Sequence, residues 1–191
     1  MHGSDAAAKQ PPTLFTIGHS NRSLDELIEL LNEYKIRQLL DVRTLPDSRN
    51  QSMFNRTPFS LACNDEGIAY GWLGLELGGL RRPKGDSQHT ALNSGLRSYA
   101  DHMQSSLFKR GINQICQLAL QTNTALMCAE RDPNQCHRSM IADHMILKGW
   151  RIIHIINRED WQEHRLNPLA RLDEQTLIYD QLTQEQLDFH F

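Results

Sequence analysis

Thr124-Ala125-Leu126-Met127-Cys128-Ala129-Glu130, followed by Arg131-Asp132-Pro133-Asn134-Gln135-Cys136-His137-Arg138, decides the fold. A short apolar run bounded at once by charged and turn-forming residues reads as a buried strand that hands the chain to a helix. Asp132 is a good N-cap, because its carboxylate accepts from the free N–H groups of a first turn. Pro133 suits the first helical position, where no N–H is needed, and Gln135 sits where a capping box wants it. The spacing predicts a helix opened by Asp132 and stopped at Gly149, with Cys136, His137 and Arg138 in or near its first turn. Free N–H groups and the positive helix end favour anions there and lower the pKa of a thiol.

Outward from this unit the same alternation repeats. Leu14–Ile17 reads as a first strand, broken by Gly18-His19-Ser20-Asn21-Arg22. Ser23 caps the next helix and Glu26 completes its capping box, with Leu24, Leu27, Ile28 and Leu31 on one apolar face. Ile36–Val42 is a second strand; Thr57-Pro58 opens a short helix ended by Gly67; Ile68–Leu73 is a third strand. A long Gly- and Arg-rich loop runs from Gly78 to about Gly95, and Leu96–Leu120 is helical with a break expected near Lys109-Arg110-Gly111. Arg151–Ile156, rich in β-branched residues, is a fifth strand.

Strands alternating with helices require crossovers, hence a parallel sheet covered on both faces. The expectation is a single three-layer α/β domain with a mainly parallel five-stranded sheet, Rossmann-like or flavodoxin-like. Residues 13–160 make the domain, 1–12 a disordered lead-in, and 161–191 a polar extension, partly helical around 174–187.

Composition narrows the function classes. The chain has 191 residues, 39% hydrophobic and 23% charged, with a formal charge of −3, so nothing pulls the whole molecule toward nucleic acid or anionic membrane. No apolar run approaches the ~20 residues of a membrane helix, and no secretory signal is visible. Four cysteines (Cys63, Cys116, Cys128 and Cys136) are too few for a disulfide scaffold, so reduced thiols and a cytoplasmic setting are expected. The residues name no cofactor and no oligomeric state.

In open parallel sheets ligands bind beyond the carboxyl ends of the strands. That rule collects Gly18, His19 and Ser20 from the first strand, Asp41 and Arg43 from the second, and Cys128 and Glu130 from the fourth, with Cys136, His137 and Arg138 beyond it. Each has a plain alternative: Gly18 permits a turn, His19 or Ser20 bonds loop backbone, Asp41 and Arg43 pair structurally, and Cys128 packs as a small hydrophobe. Cys63 and Cys116 lie on apolar faces and read as packing.

Three chemistries compete for the collection. One is binding of a small anionic, phosphate-bearing or nucleotide-like ligand by Arg43, Arg138, Ser20 and free N–H groups. Another is thiol chemistry, with Cys136 or Cys128 as nucleophile and His19 or His137 as base. The third, a metal centre on Cys128, Cys136 and a histidine, is disfavoured because the cysteines are eight residues apart with no Cys-x-x-Cys pair. No metal is therefore expected. Dinucleotide and Walker-type fingerprints are missing. A phosphatase loop would need an arginine where Asn134 or Ala142 stands.

Thr16-Ile17-Gly18-His19-Ser20, Asp41-Val42-Arg43 with Pro46 and Ser48, Leu77-Gly78-Gly79, Tyr99 with Met103 and Phe108, Cys128-Ala129-Glu130, Cys136-His137-Arg138 and His154-Ile155 form an ordered set. Together they resemble the family known as domain of unknown function 488 over roughly Leu14 to Ile156, and His164 extends the pattern. The resemblance carries no settled activity. It implies that these polar positions, Ser48 included, form a real site.

The leading expectation is an enzyme acting on an anionic nucleotide-like or nucleic-acid-derived ligand. Arg43 and Arg138 would hold the anion and Ser20 orient it; Glu130, Asp41 or His19 would do acid–base work, and Cys136 would be the nucleophile. The alternative is a non-catalytic module that senses a small anion or docks nucleic acid through Arg81, Arg82 and Lys84.

Overall fold

The computed structural model describes residues 10–181. Most of the expected lead-in and the last part of the expected C-terminal helix lie outside the described residues. Strands β1 (Thr13–Gly18), β2 (Gln38–Asp41), β3 (Ala69–Trp72), β4 (Thr124–Cys128) and β5 (Arg151–Ile155) run parallel in the order β3-β2-β4-β1-β5. A short β6 (Trp161–Glu163) adds antiparallel to the β5 edge, making six strands where the sequence predicts five.

Strand alternation sends neighbouring side chains to opposite faces, and both faces are covered. Leu126 and Cys128 pack with α3 (Gly74–Leu77), α4 (Ser94–Met103), α5 (Ser106–Ala119) and α6 (Arg138–Leu147), around Tyr99, Phe108, Ile112 and Met140. Ala125 and Met127 face α1 (Leu24–Glu33) and α2 (Arg56–Asp65), around Leu27, Leu31, Phe59 and Cys63. The result is the expected three-layer α/β domain. Helix α1 begins as its residues dictate: the Ser23 hydroxyl accepts from Glu26 N–H while the Glu26 carboxylate accepts from Ser23 N–H.

Three elements depart from expectation. Asp132 does accept from Asn134 N–H and Pro133 does open a turn, but that turn is a 3₁₀ piece ending at Gln135. Cys136 is extended (φ −131°, ψ 141°), and the α-helix starts only at Arg138. The long helical stretch breaks at Gln104-Ser105, where Ser105 caps α5, and not at Gly111. Gly111 is needed because a Cβ there would lie 2.6 Å from Leu77 Cγ, so α3 could not seat on α5. Finally, the C-terminal extension is not helical among the described residues: β6 is followed by a hairpin of β7 (Ala170–Asp173) and β8 (Thr176–Tyr179), whose Leu177 and Tyr179 join the core.

Candidate functional site at the carboxyl rim

Strand order explains the meeting of the rim residues. With β4 between β1 and β2, Gly18 pairs with Cys128 and Asp41 with Met127, so three loops leave the sheet side by side. His19 N–H and Ser20 N–H continue the ladder to the carbonyls of Cys128 and Ala129, and Val42 N–H donates to Met127. Gly18 is obligatory: a Cβ would stand 1.8 Å from the Glu130 carbonyl oxygen. Ser20 sits at φ +49°, the left-handed region that costs a non-glycine residue energy.

Asp41 and Arg43 form a buried pair. Arg43 Nε donates to both carboxylate oxygens at 3.0 and 3.1 Å, Nη2 donates at 2.6 Å, and Tyr70 O–H adds a bond of 2.7 Å. The remaining Arg43 donors reach the Phe54 carbonyl (2.8 Å) and His19 Nε2 (3.2 Å). Burial opposes the Arg43 charge, but the hydrogen bonds and charge of Asp41 outweigh it and raise its pKa. His19 stacks on Phe54 at 4.5 Å and donates from Nδ1 to the Ser20 carbonyl. Burial and then the Arg43 charge hold it below the ordinary histidine range, so His19 stands as a neutral base or acceptor.

Arg138 is fully buried, with Nη1 donating to the Glu130 carbonyl and Nη2 to the Arg131 carbonyl at 2.7 Å. Its Nε has no partner. The two arginines expected to grip an anion thus bind the protein's own acceptors first. Ser48 likewise serves its loop, with its hydroxyl accepting from Gln51 N–H. The Glu130 side chain is exposed at the rim.

The most concentrated chemistry lies where β4 meets the kink at Cys136. His137 Nδ1 stands 3.9 Å from Cys128 Sγ and 3.7 Å from Cys136 Sγ, and all three residues are buried. Nε2 of the same ring lies 3.1 Å from the Val42 carbonyl, an acceptor. In the neutral ring, therefore, the proton sits on Nε2 and the Nδ1 lone pair faces the sulfurs. Gly79 packs on this ring, since a Cβ would lie 2.6 Å from Nδ1, which gives Leu77-Gly78-Gly79 its role. The two thiols act on each other: a hydrogen bond from Cys136, with help from His137 and Arg138 and against burial, holds the Cys128 thiol well below its usual range. Cys136, as donor and buried, is pushed up. The helix end expected beside Cys136 lies further on, at Arg138, so the second thiol and His137, rather than a helix terminus, set the surroundings of each sulfur.

Several polar residues escape sequence reasoning. Arg22 is buried and donates to the carbonyls of Gly18 and Ile156, tying the β1 loop to β5. Thr16 Oγ1 bonds His154 Nδ1 (2.7 Å), His154 Nε2 bonds His164 Nδ1 (2.9 Å), and His164 Nε2 bonds Asp143 (2.8 Å), which also accepts from Tyr179 O–H (2.9 Å). His154 and His164 appear in the sequence set, but Asp143 and Tyr179 give no local signal. A cavity of about 430 Å³ opens beside this chain, lined by His154, His164, Asn134 and Ser139. A larger one, about 790 Å³, lies among α4, α5, α6 and the hairpin and contains none of the rim residues.

The family described as Domain of unknown function DUF488 matches residues 23–145, which span Asp41, Arg43, Gly79, Cys128 and the Cys136-His137-Arg138 run. No curated protein and no solved structure matches the chain. With its matched segment covering more than half the sequence and most of the rim, the chain belongs to the DUF488 family.

Proposed function

We propose that the carboxyl rim is an active site for an anionic, nucleotide-like or nucleic-acid-derived ligand, with Cys128, Cys136 and His137 as its reactive centre. The observation that carries this reading is geometric: Cys128 Sγ and Cys136 Sγ lie 3.9 and 3.7 Å from His137 Nδ1, buried together at a strand end, where the hydrogen bond from Cys136 also holds the Cys128 thiol low. Structural thiols in apolar surroundings are pushed the other way, as Cys63 is. Positive charge at the rim supports an anionic ligand: after burial, the charges of Arg131 and Arg138 depress the Arg22 pKa, the signature of crowded cations. His19 supplies a neutral base and the exposed Glu130 carboxylate a second proton-transfer group.

Turnover is to be measured against a panel of nucleotides, phosphoesters and short single-stranded oligonucleotides. Cys128→Ala is expected to lower it by roughly 100-fold or more, and His19→Gln by a similar factor typical of lost acid–base catalysis. Undiminished turnover in Cys128→Ala refutes the reading. Binding without turnover favours the non-catalytic module instead. That module has less support on its nucleic-acid side, because Arg81 donates to the carbonyls of Gly78 and Leu75, leaving Arg82 and Lys84 as the exposed cations of that loop.

A further inference from the structure

We infer that Cys128, Cys136 and His137 form a zinc(II) site with one coordination position open to water or substrate. The inference rests on the reading of this cluster as the reactive centre and says what it holds. Sequence spacing argues against it, since the cysteines are eight residues apart. The fold removes the objection: the extended kink at Cys136 turns its sulfur back toward the end of β4, and the next residue supplies the imidazole.

Three ligand atoms, one from each residue, lie within 4.8 Å of one another. Tetrahedral zinc, with Zn–S near 2.3 Å and Zn–N near 2.0–2.1 Å, sets S···N at about 3.6 Å and S···S at about 3.8 Å. The observed S···N separations of 3.7 and 3.9 Å need to close by only a few tenths of an ångström. The ring is already oriented: the Val42 carbonyl accepts from Nε2–H and leaves Nδ1 as the ligand, the outer-shell arrangement typical of metal-binding histidines. Cys136 is fixed by its own backbone, since its carbonyl accepts from Ser139 N–H (3.0 Å) and Ser139 Oγ–H (2.9 Å). Both thiols are free of disulfide bonding.

The donor set selects the metal. Two thiolates and an imidazole suit zinc and disfavour magnesium, calcium or manganese, which take oxygen ligands. Two thiolates also cancel the zinc charge within a buried site. Among the described residues no fourth His, Cys, Asp or Glu joins the group. Three protein ligands and an open position is the pattern of catalytic zinc, whereas structural zinc takes four.

The test uses the full chain under reducing conditions. Elemental analysis of the purified protein, then chelation and titration with zinc alone, should give one zinc per chain. Cobalt(II) in its place should show a thiolate-to-cobalt charge-transfer band. Cys128→Ser and Cys136→Ser should each lower bound zinc at least tenfold, while Cys116→Ala, outside the three-residue group, keeps one equivalent. Zinc should also raise the unfolding temperature of the stripped wild type, a readout that needs no variant to fold. Failure of the wild type to take up zinc, or undiminished zinc in both serine variants, overturns the inference. Full turnover by zinc-free protein overturns it and leaves the active-site reading standing. One zinc bound at the cluster with no turnover of any panel ligand upholds the metal site and removes that reading.

Discussion

Replacing Asp41 by asparagine tests whether the rim arginines are structural or free for a ligand. The Asp41 side chain has 0% of its surface exposed and that of Arg43 9%, so neither charge is solvated enough to stand alone. The carboxylate accepts three Arg43 side-chain contacts, the Arg43 backbone N–H at 3.0 Å and the Tyr70 hydroxyl. Asparagine keeps the shape but removes the charge and turns one acceptor into a donor facing other donors. A buried guanidinium without its counter-charge costs about 3–5 kcal/mol. Against a total stability of roughly 5–15 kcal/mol that is a large fraction. At about 2–4 °C per kcal/mol for a chain of this size, Tm should fall by roughly 6–20 °C in calorimetry. Adding Arg43→Met should recover part of the loss, because an apolar residue of similar length needs no partner; the coupling should be about 2 kcal/mol. A loss under about 1 kcal/mol in Asp41→Asn would show that Arg43 is not held by this pair, and the structural account of the second loop would fail.

Three further outcomes follow from particular side chains. Burial, then the charges of Lys148 and Lys109, holds His144 down to about 4. It is neutral in both states above about pH 6.5; as pH falls below that, the unfolded chain takes a proton the folded one refuses, and stability declines until about pH 4, at up to about 1.4 kcal/mol per pH unit. His144→Leu should flatten this acid limb in urea titrations at several pH values, and an unchanged slope would discount His144. The Cys63 thiol is pushed up to about 12 by burial and then the Asp41 charge, so iodoacetamide at pH 8 should leave it unmodified in the folded protein by mass spectrometry; rapid labelling would contradict its burial. Gly18→Ala, whose methyl would lie 1.8 Å from the Glu130 oxygen, should destabilise by several kcal/mol and shift the Glu130 loop, whereas a wild-type Tm would show that the backbone yields there.

Features legible in the sequence are those set by neighbours along the chain. The Ser23–Glu26 box, the strand ending at Cys128 and the polar residues gathered at strand ends all depend on local spacing, and each stands in the structure. What sequence could not show depends on partners far away. The helix from Asp132 splits because Cys136 packs toward Cys128 and His137, so the expected thiol at a helix terminus becomes a thiol in a buried cluster. Gly111 reads as a helix breaker, yet it makes room for Leu77. The C-terminal hairpin turns on Glu174 at φ +53°, a conformation that residue type does not advertise, so its strands carry no turn signal. Local propensity loses to tertiary contact in each case.

The loops leaving the rim are held by buried cations where an ordinary sheet end is held by apolar packing. Arg22 joins the Gly18 and Ile156 carbonyls, Arg43 joins Asp41 to the Phe54 carbonyl, and Arg138 joins the carbonyls of Glu130 and Arg131. Each guanidinium thus fixes a loop that leaves the sheet, and together they concentrate positive charge where water is scarce. Most of their donors are matched, so a ligand cannot gain by displacing them without leaving a carbonyl unpaired. Arg138 Nε is different: it is buried without a partner, a deficit that ordinarily costs about 1–3 kcal/mol. Arg138→Lys, which keeps the charge but lacks the fork, should therefore leave the Glu130 and Arg131 carbonyls short of donors and lower Tm in calorimetry, and an unchanged Tm would show that this guanidinium does not hold the loop after β4.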